Sequence, residues 1–261
     1  MSKPIRPLPR LQIDRWSAAA AACVACWAAG VLLLLVALPA AAGTVKVGVL
    51  KFGTVNWEID VISRNGLDRA VGVELEAVEL ATNAAVAVAL QAGAVDVIVT
   101  DWLWVTRQRA DGADYTFVPY STSIGSLVVP ANSEIRALPD LKGRRLGIAG
   151  GPVDKSWLLF RAFARQHHGF DLARAVEEVF GAPPLLNEQL ELGEIDAVIN
   201  NWNFVAQLEA KGFERLMGAA DAARELGISS DVPMLGYVFS EAWALSHRED
   251  VQGLVDASRR A

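Results

Sequence analysis

Cysteine is nearly missing from this chain of 261 residues: there are two, Cys23 and Cys26, both close to its start. Everything after them is without a disulfide, a thiolate nucleophile or a cysteine-bound metal. Histidine is scarce as well, with three in all. His167 and His168 stand ahead of Gly169, where partial positive charge suits the end of a helix, and His247 lies in an acidic terminal helix. There is no G-x-S-x-G elbow, no H-E-x-x-H pair and no calcium loop of the D-x-D-x-D-G type. No catalytic residue, metal ligand or cofactor is therefore expected. Basic charge is also short, with 24 Lys and Arg against 30 Asp and Glu, a net charge of −6. Setting aside Lys3, Arg6, Arg10, Arg15 and Asp14, the rest carries 20 basic and 29 acidic residues, or −9. Such a balance gives no encouragement to binding of nucleic acid or of an anionic membrane, and no nucleic-acid partner is expected. The doublets Arg144-Arg145 and Arg259-Arg260 read as solvated surface.

Long apolar runs are absent too, apart from one. Four basic residues lead into an Ala- and Leu-rich stretch from Ser17 to Leu38, followed by Pro39 and Ala40-x-Ala42. This is the layout of a secretory signal peptide over residues 1–42. The stretch approaches the length of about 20 residues that spans a bilayer, so an uncleaved membrane anchor is the alternative. A strand-like segment begins directly after Gly43, which favours cleavage and a periplasmic product. Without disulfides, the remaining roughly 220 residues must be held by core burial, as one large or two small domains.

From Thr44 onward, strand-like and helix-like segments alternate. "TVKVGVL", "VELEAVEL", "VDVIVT" and "YTFVPYS" read as strands, separated by helical stretches that close at Gly72, Gly93 and Gly112. The order then begins again, with "RRLGIAGG", "AVEEVFGA", "IDAVIN" and "FERLMGA" as strands. Alternation with short turns implies parallel sheets wrapped by helices. The two runs are also alike in detail. "GAVDVIVTDW" (93–102) and "GEIDAVINNW" (193–202) share Gly, Asp and Trp at matching places. Trp57 likewise matches Trp157, and Trp104 matches Phe204. The Gly and Asp pairs read as scaffold, a helix stop and a strand flank. The tryptophans follow strand ends, and in an open parallel sheet those positions line the ligand crevice. Packing back onto their own sheet is the competing role.

Four stretches, "KVGVLKFGTVNW", "VALQAGAVDVIVTDW", "SEIRALPDLKGRRLGIAGG" and "LELGEIDAVINNW", carry a family resemblance. On them the chain resembles the periplasmic solute-binding proteins of ABC importers, in the nitrate, sulfonate and taurine branch that includes thiamine-precursor binders. The resemblance implies a type II fold, two similar α/β lobes joined by a two-stranded hinge. Lobe one would be 43–128 completed by 238–261, and lobe two 129–237, with crossings at 126–132 and 234–240. It also implies a monomer that serves a membrane permease and ATPase and is not an enzyme. Relatives continue for several helices beyond a segment like 237–261, so this is either a short member or a truncated one. The synthase of thiamine pyrimidine on this fold carries a Cys-rich stretch, which this chain lacks after its leader. A periplasmic sensor is the remaining alternative role.

The cleft so implied is lined by Thr54, Trp57, Asp101, Trp102, Ser121, Thr122, Gly151, Ser156, Trp157, Asn201 and Trp202. "GGPVDKSW" (150–157) is not a phosphate loop, because Asp154 stands where a glycine must precede the Lys-Ser pair. It is a glycine turn entering a helix, whose free N–H groups suit a sulfonate or carboxylate, unless Asp154 simply caps them. Thr54 and Ser156 offer hydroxyls to the same anion. Tryptophan faces with Asp101 suit instead a quaternary amine, or a flat pyrimidine ring. Asn200, Asn201 and Asn203 would orient a polar solute or cap the turn. The primary expectation is a small sulfonate- or taurine-like anion.

The leader makes the first prediction. N-terminal sequencing of the protein from cells should begin at Gly43, in the periplasmic fraction. An intact Met1 or Ser2 in the cytosol contradicts export.

Overall fold

The computed structural model describes residues 43–229 and 232–261; the leader reading of 1–42, with Cys23 and Cys26, falls outside the described residues. The first run comprises β1 (Gly43–Leu50), α1 (Val55–Arg64), β2 (Val73–Leu80), α2 (Asn83–Gln91), β3 (Val97–Asp101), α3 (Trp102–Ala110) and β4 (Tyr115–Ser121). The second begins with β5 (Ser126–Val129), β6 (Arg145–Ala149), α4 (Lys155–His168), α5 (Leu172–Ala175) and β7 (Glu177–Gly181). It continues through α6 (Pro183–Glu191), β8 (Ala197–Asn200), α7 (Trp202–Ala210), β9 (Glu214–Gly218) and α8 (Ala219–Glu225). β10 (Leu235–Ser240), α9 (Glu241–Ser246) and α10 (Arg248–Arg260) end the chain.

These strands form two separate sheets with one plan. The orders are β2-β1-β3-β10-β4 and β7-β6-β8-β5-β9. In each, the first three strands are parallel, and the fourth is antiparallel to both its neighbours. The sheets are therefore mixed, and the wholly parallel sheets expected from the alternation are corrected at one strand each. That strand is the one the chain lays down immediately after crossing between sheets. β5 starts the second sheet at Ser126, and β10 returns to the first at Leu235.

The repeat extends to single hydrogen bonds. Asp96 accepts the Lys46 N–H at 2.8 Å and its own N–H donates to the Lys46 carbonyl at 2.9 Å. Asp196 does the same with Arg145, at 2.7 and 2.9 Å. Each carboxylate thus ties the entrance of a buried strand to its parallel neighbour, so these two aspartates are scaffold. Each helix before them ends at a glycine with positive φ, +68° at Gly93 and +72° at Gly193, a conformation costly for other residues.

Both sheets are covered on both faces. Alternate residues of β8 divide accordingly: Ala197 and Ile199 join one core, Val198 the other. On the first sheet α1 and α10 cover one face with Ile59, Ile62 and Leu254. Val86, Leu90 and Val105 of α2 and α3 cover the opposite face. Fully burying one such side chain contributes about 1.5–3 kcal/mol, so four apolar clusters replace the absent disulfides.

Trp157 belongs to this core. It is 0 % exposed and packs with Leu159, Phe160 and Leu172, while the Arg161 guanidinium lies 5.8 Å from its ring. Trp57 occupies the same third position of its helix and is 57 % exposed. Equal places in the repeat have opposite surroundings. Trp157→Ala should accordingly cost about 3–5 kcal/mol of unfolding free energy, while Trp57→Ala should stay within about 1 kcal/mol. Urea unfolding of both variants checks this; equal losses would contradict it.

Candidate functional site

The carboxyl ends of the parallel strands from the two sheets meet. Trp57, after β1, touches Trp202, after β8, with ring centroids 6.3 Å apart and planes at 87°. This is the edge-to-face geometry that aromatic quadrupoles favour. Asp101, ending β3, lies close enough to Asp154, after β6, for their charges to interact. Asn83, opening α2, places its Nδ2 2.9 Å from where a Cβ on Gly150 would stand. Gly150, at φ +89°, therefore leaves room for the Asn83 side chain of the opposite sheet.

The same pairing of turns produces two different surfaces. The turn after β1 meets the turn after β8, and the turn after β3 meets the turn after β6. In the first pair, Trp57 and Trp202 are 57 % and 41 % exposed. Phe52, in the β1 turn, adds further exposed apolar surface. In the second pair the space is filled. Trp102 packs against the core cluster that contains Trp157, and its Nε1 is buried without a hydrogen-bond partner. Exposed aromatic surface of this extent is a mark of a binding site.

The remaining candidates separate in the same way. Asp101 caps α3, its Oδ1 accepting from Trp104 N–H at 2.8 Å. Thr54 and Asn201 precede α1 and α7, and neither side chain makes a capping bond. Both groups stay free for a ligand. Gly151 has φ +90° with open space around it. Ser121 Oγ accepts from Ser123 N–H at 3.1 Å, and Thr122 is exposed beside it. Ser156 and Trp157 are buried, at 3 % and 0 % exposure, and present no surface to a solute. Their place in the expected ligand set is corrected: Ser156 Oγ lies under Gly125, 3.3 Å from the site of a Cβ there, where the chain crosses between sheets.

The anion pocket expected at the start of α4 is occupied from within. Asp154 Oδ1 accepts from Ser156 N–H at 2.8 Å and Trp157 N–H at 3.3 Å. Lys155 Nζ stands 3.8 Å from its Oδ2, with the lysine side chain 12 % exposed. Burial raises the Asp154 carboxyl above the ordinary carboxylate range and the charge of Asp101 adds to this, while Lys155 and the two N–H groups oppose it. Asn200 is likewise committed to structure. Its Nδ2 donates to the Pro183 carbonyl and to Asn187 Oδ1, and its Oδ1 accepts from Asn201 N–H.

Lys155 and Asn83 were missed as crevice residues. Lys155 lies inside the glycine turn at 150–157, and Asn83 stands just beyond Ala81 and Thr82 at the end of the strand "VELEAVEL". A rule admitting every polar residue within three positions of a strand end finds Asn83, and Lys155 lies beyond its reach, in the first turn of α4. A groove of about 410 Å³ lies elsewhere, lined by Glu58, Tyr120, Tyr237 and Ser258 among others. There Glu58 Oε1 accepts from Tyr237 Oη at 3.0 Å and Ser258 Oγ at 2.6 Å. Burial and that carboxylate push both tyrosines well above their usual range. None of the strand-end turns of the crevice reaches it.

The family model described as NMT1/THI5 like matches residues 65–261. Among solved structures, the chain is similar to the alkanesulfonate-binding protein SsuA of Xanthomonas axonopodis pv. citri bound to MOPS. The TM-score is 0.65 at 19% identity, over 84% of this chain and 72% of that one. The periplasmic aliphatic sulphonate binding protein SsuA of Escherichia coli gives 0.62 at 18%, over 84% and 72%. A protein of Bordetella bronchiseptica RB50 gives 0.68 at 20%, over 84% and 70%. At these identities the likeness shows a common fold. No curated protein sequence matches this chain significantly.

Asp154 supplies a test of the buried charge. Asp154→Asn keeps the cap oxygen and removes the ionisation. Because the folded-state pKa of Asp154 is raised, its stabilising contribution is complete below the unfolded value, about 4. That contribution is lost as pH rises through the folded value. Wild type should thus lose stability relative to Asp154→Asn over that interval and hold a constant deficit above it. Asp154→Ala, without a cap, should be about 1 kcal/mol less stable than Asp154→Asn. Melting curves from pH 3.5 to about 8 check both; a wild-type advantage that grows with pH contradicts the assignment.

Proposed function

This chain belongs to the NMT1/THI5-like family, and from that premise we propose that it is the extracytoplasmic solute-binding component of an ABC importer. It captures a small organic solute between two lobes and presents the closed form to a permease and its ATPase. The lobes are close to residues 43–128 with 238–261, and 129–237, and the protein acts as a periplasmic monomer. The carrying observation is the contact of Trp57 with Trp202 across the crevice, both rings keeping a large exposed face. A solute bound there touches both lobes at once, so it favours the closed arrangement by contacts that an open one lacks. The two crossings between sheets serve as the hinge.

The similar structures are of solute-binding proteins, which supports this role, and a sulfonate is the ligand class they favour. The crevice of this chain favours a different group. Asp154 already occupies the helix N–H groups that an oxyanion would use. No arginine stands in any turn that follows a strand of the crevice, at 51–57, 81–83, 101–104, 150–157 or 201–204; the basic residues there are Lys51, exposed, and Lys155, which is paired with Asp154.

Intrinsic fluorescence tests the role. Titration with a panel of sulfonates, betaines, pyrimidines and amines should find a solute that shifts the emission and raises the melting temperature. Trp57→Ala and Trp202→Ala should each weaken that solute by about thirtyfold, an aromatic contact being worth on the order of 2 kcal/mol at such sites. Unchanged affinity in both variants contradicts the crevice assignment.

A further inference from the structure

Resting on that reading, we infer that the crevice selects a solute carrying a positive charge, an ammonium group held against the Trp57 and Trp202 faces with Asp101 as its counter-charge. Three observations lead there independently of one another.

The first is the balance of buried charge. Three ionisable side chains of the crevice turns are withdrawn from water: Asp101 at 9 % exposure, Asp154 at 8 % and the Lys155 side chain at 12 %. Lys155 is paired with Asp154 at 3.8 Å. Asp101 has no ion-pair partner among the described residues, and its hydrogen bond to Trp104 N–H engages Oδ1 alone. One carboxylate is left over. A buried charge without a partner is costly, and a cationic group entering the crevice removes that cost.

The second is the shape and chemistry of the open half. Two indole rings set at 87° form a corner with both faces partly free. The negative face of an indole attracts cations, and more so where water is excluded. An anion placed at the same corner meets two negative faces and no arginine.

The third is proximity. β1 and β3 are neighbouring parallel strands, as are β6 and β8. Neighbouring strands lie about 4.8 Å apart, so Asp101 at the end of β3 stands roughly one strand spacing to the side of the β1 end that leads to Trp57. Trp202 reaches the same corner from the opposite lobe. Lobe closure around a solute would set the ammonium between the rings and the carboxylate, which makes the charge of the solute part of what closes the lobes.

The test compares two ions of similar size in the wild-type protein, tetramethylammonium and ethanesulfonate, by thermal shift and by indole fluorescence. Tetramethylammonium should raise the melting temperature and shift the emission at millimolar concentration, and ethanesulfonate should do neither. Asp101→Asn retains the α3 cap and should weaken tetramethylammonium about tenfold, the effect of 1.4 kcal/mol. Trp202→Ala should abolish the fluorescence shift. Stabilisation by ethanesulfonate in preference to tetramethylammonium overturns the inference, as does tetramethylammonium binding that ignores Asp101→Asn, or no response to either ion. A neutral or anionic solute that still depends on Trp57 and Trp202 would overturn the charge selection alone and leave the solute-binding role standing.

Discussion

The first sheet of this protein is complete only after the chain has crossed to the second and back, and the second is built around the strand laid down on first crossing. β5, the first strand laid down after leaving β4, pairs between β8 and β9 of the second sheet. β10, laid down some hundred residues later, pairs between β3 and β4 of the first. Each insertion runs antiparallel to its neighbours and is buried, with Leu127, Val128, Tyr237 and Val238 at 2 % exposure or less. Interior strands of this kind leave no freedom for the chain to pair elsewhere. The two crossings therefore tether the lobes side by side, with their strand ends directed to a common crevice. Gly125, where the first crossing enters β5, has no room for a side chain because a Cβ there would collide with the Asn200 carbonyl.

On that frame the duplicated lobe has been kept in its skeleton and altered at its tips. The Asp96 and Asp196 clamps and the glycine stops at Gly93 and Gly193 are the same twice over. The tryptophans are not. Trp157 is sealed in a core and Trp102 fills its side of the contact between lobes, while Trp57 and Trp202 remain open to solvent. An exactly symmetrical pair of lobes would offer two identical half-sites or none. Filling one half and opening the other leaves a single binding corner.

Much of this was legible in the sequence because periodicity and punctuation act locally. The strands 73–80 and 115–121 and the helix ending before Gly169 follow from alternation and from glycine stops, and they stand where expected. The repeat was legible because two lobes with the same fold need the same clamps at the same places. Strand direction was not, since an antiparallel insertion such as "LGYVFS" has the same apolar composition as a parallel neighbour. The exposure of each tryptophan was not legible either. Trp57 and Trp157 share a helix position, and only the packing of distant segments, Leu138 and Leu172 among them for Trp157, decides which one is buried. The role of Asp154 depended on a choice between a cap and a ligand turn, and the hydrogen bonds to Ser156 and Trp157 decide for the cap.

The central claim is that a solute draws the two lobes together at the Trp57–Trp202 corner. The most direct measurement is the distance between spin labels placed one on each lobe, at Val88→Cys and Leu192→Cys, which are 60 % and 68 % exposed. No other cysteine follows the leader, so the labels report these two sites alone. With a solute that raises the melting temperature, the distance distribution should narrow and move to a new mean, and Trp202→Ala should restore the original. A distribution that the solute leaves unchanged would contradict the account.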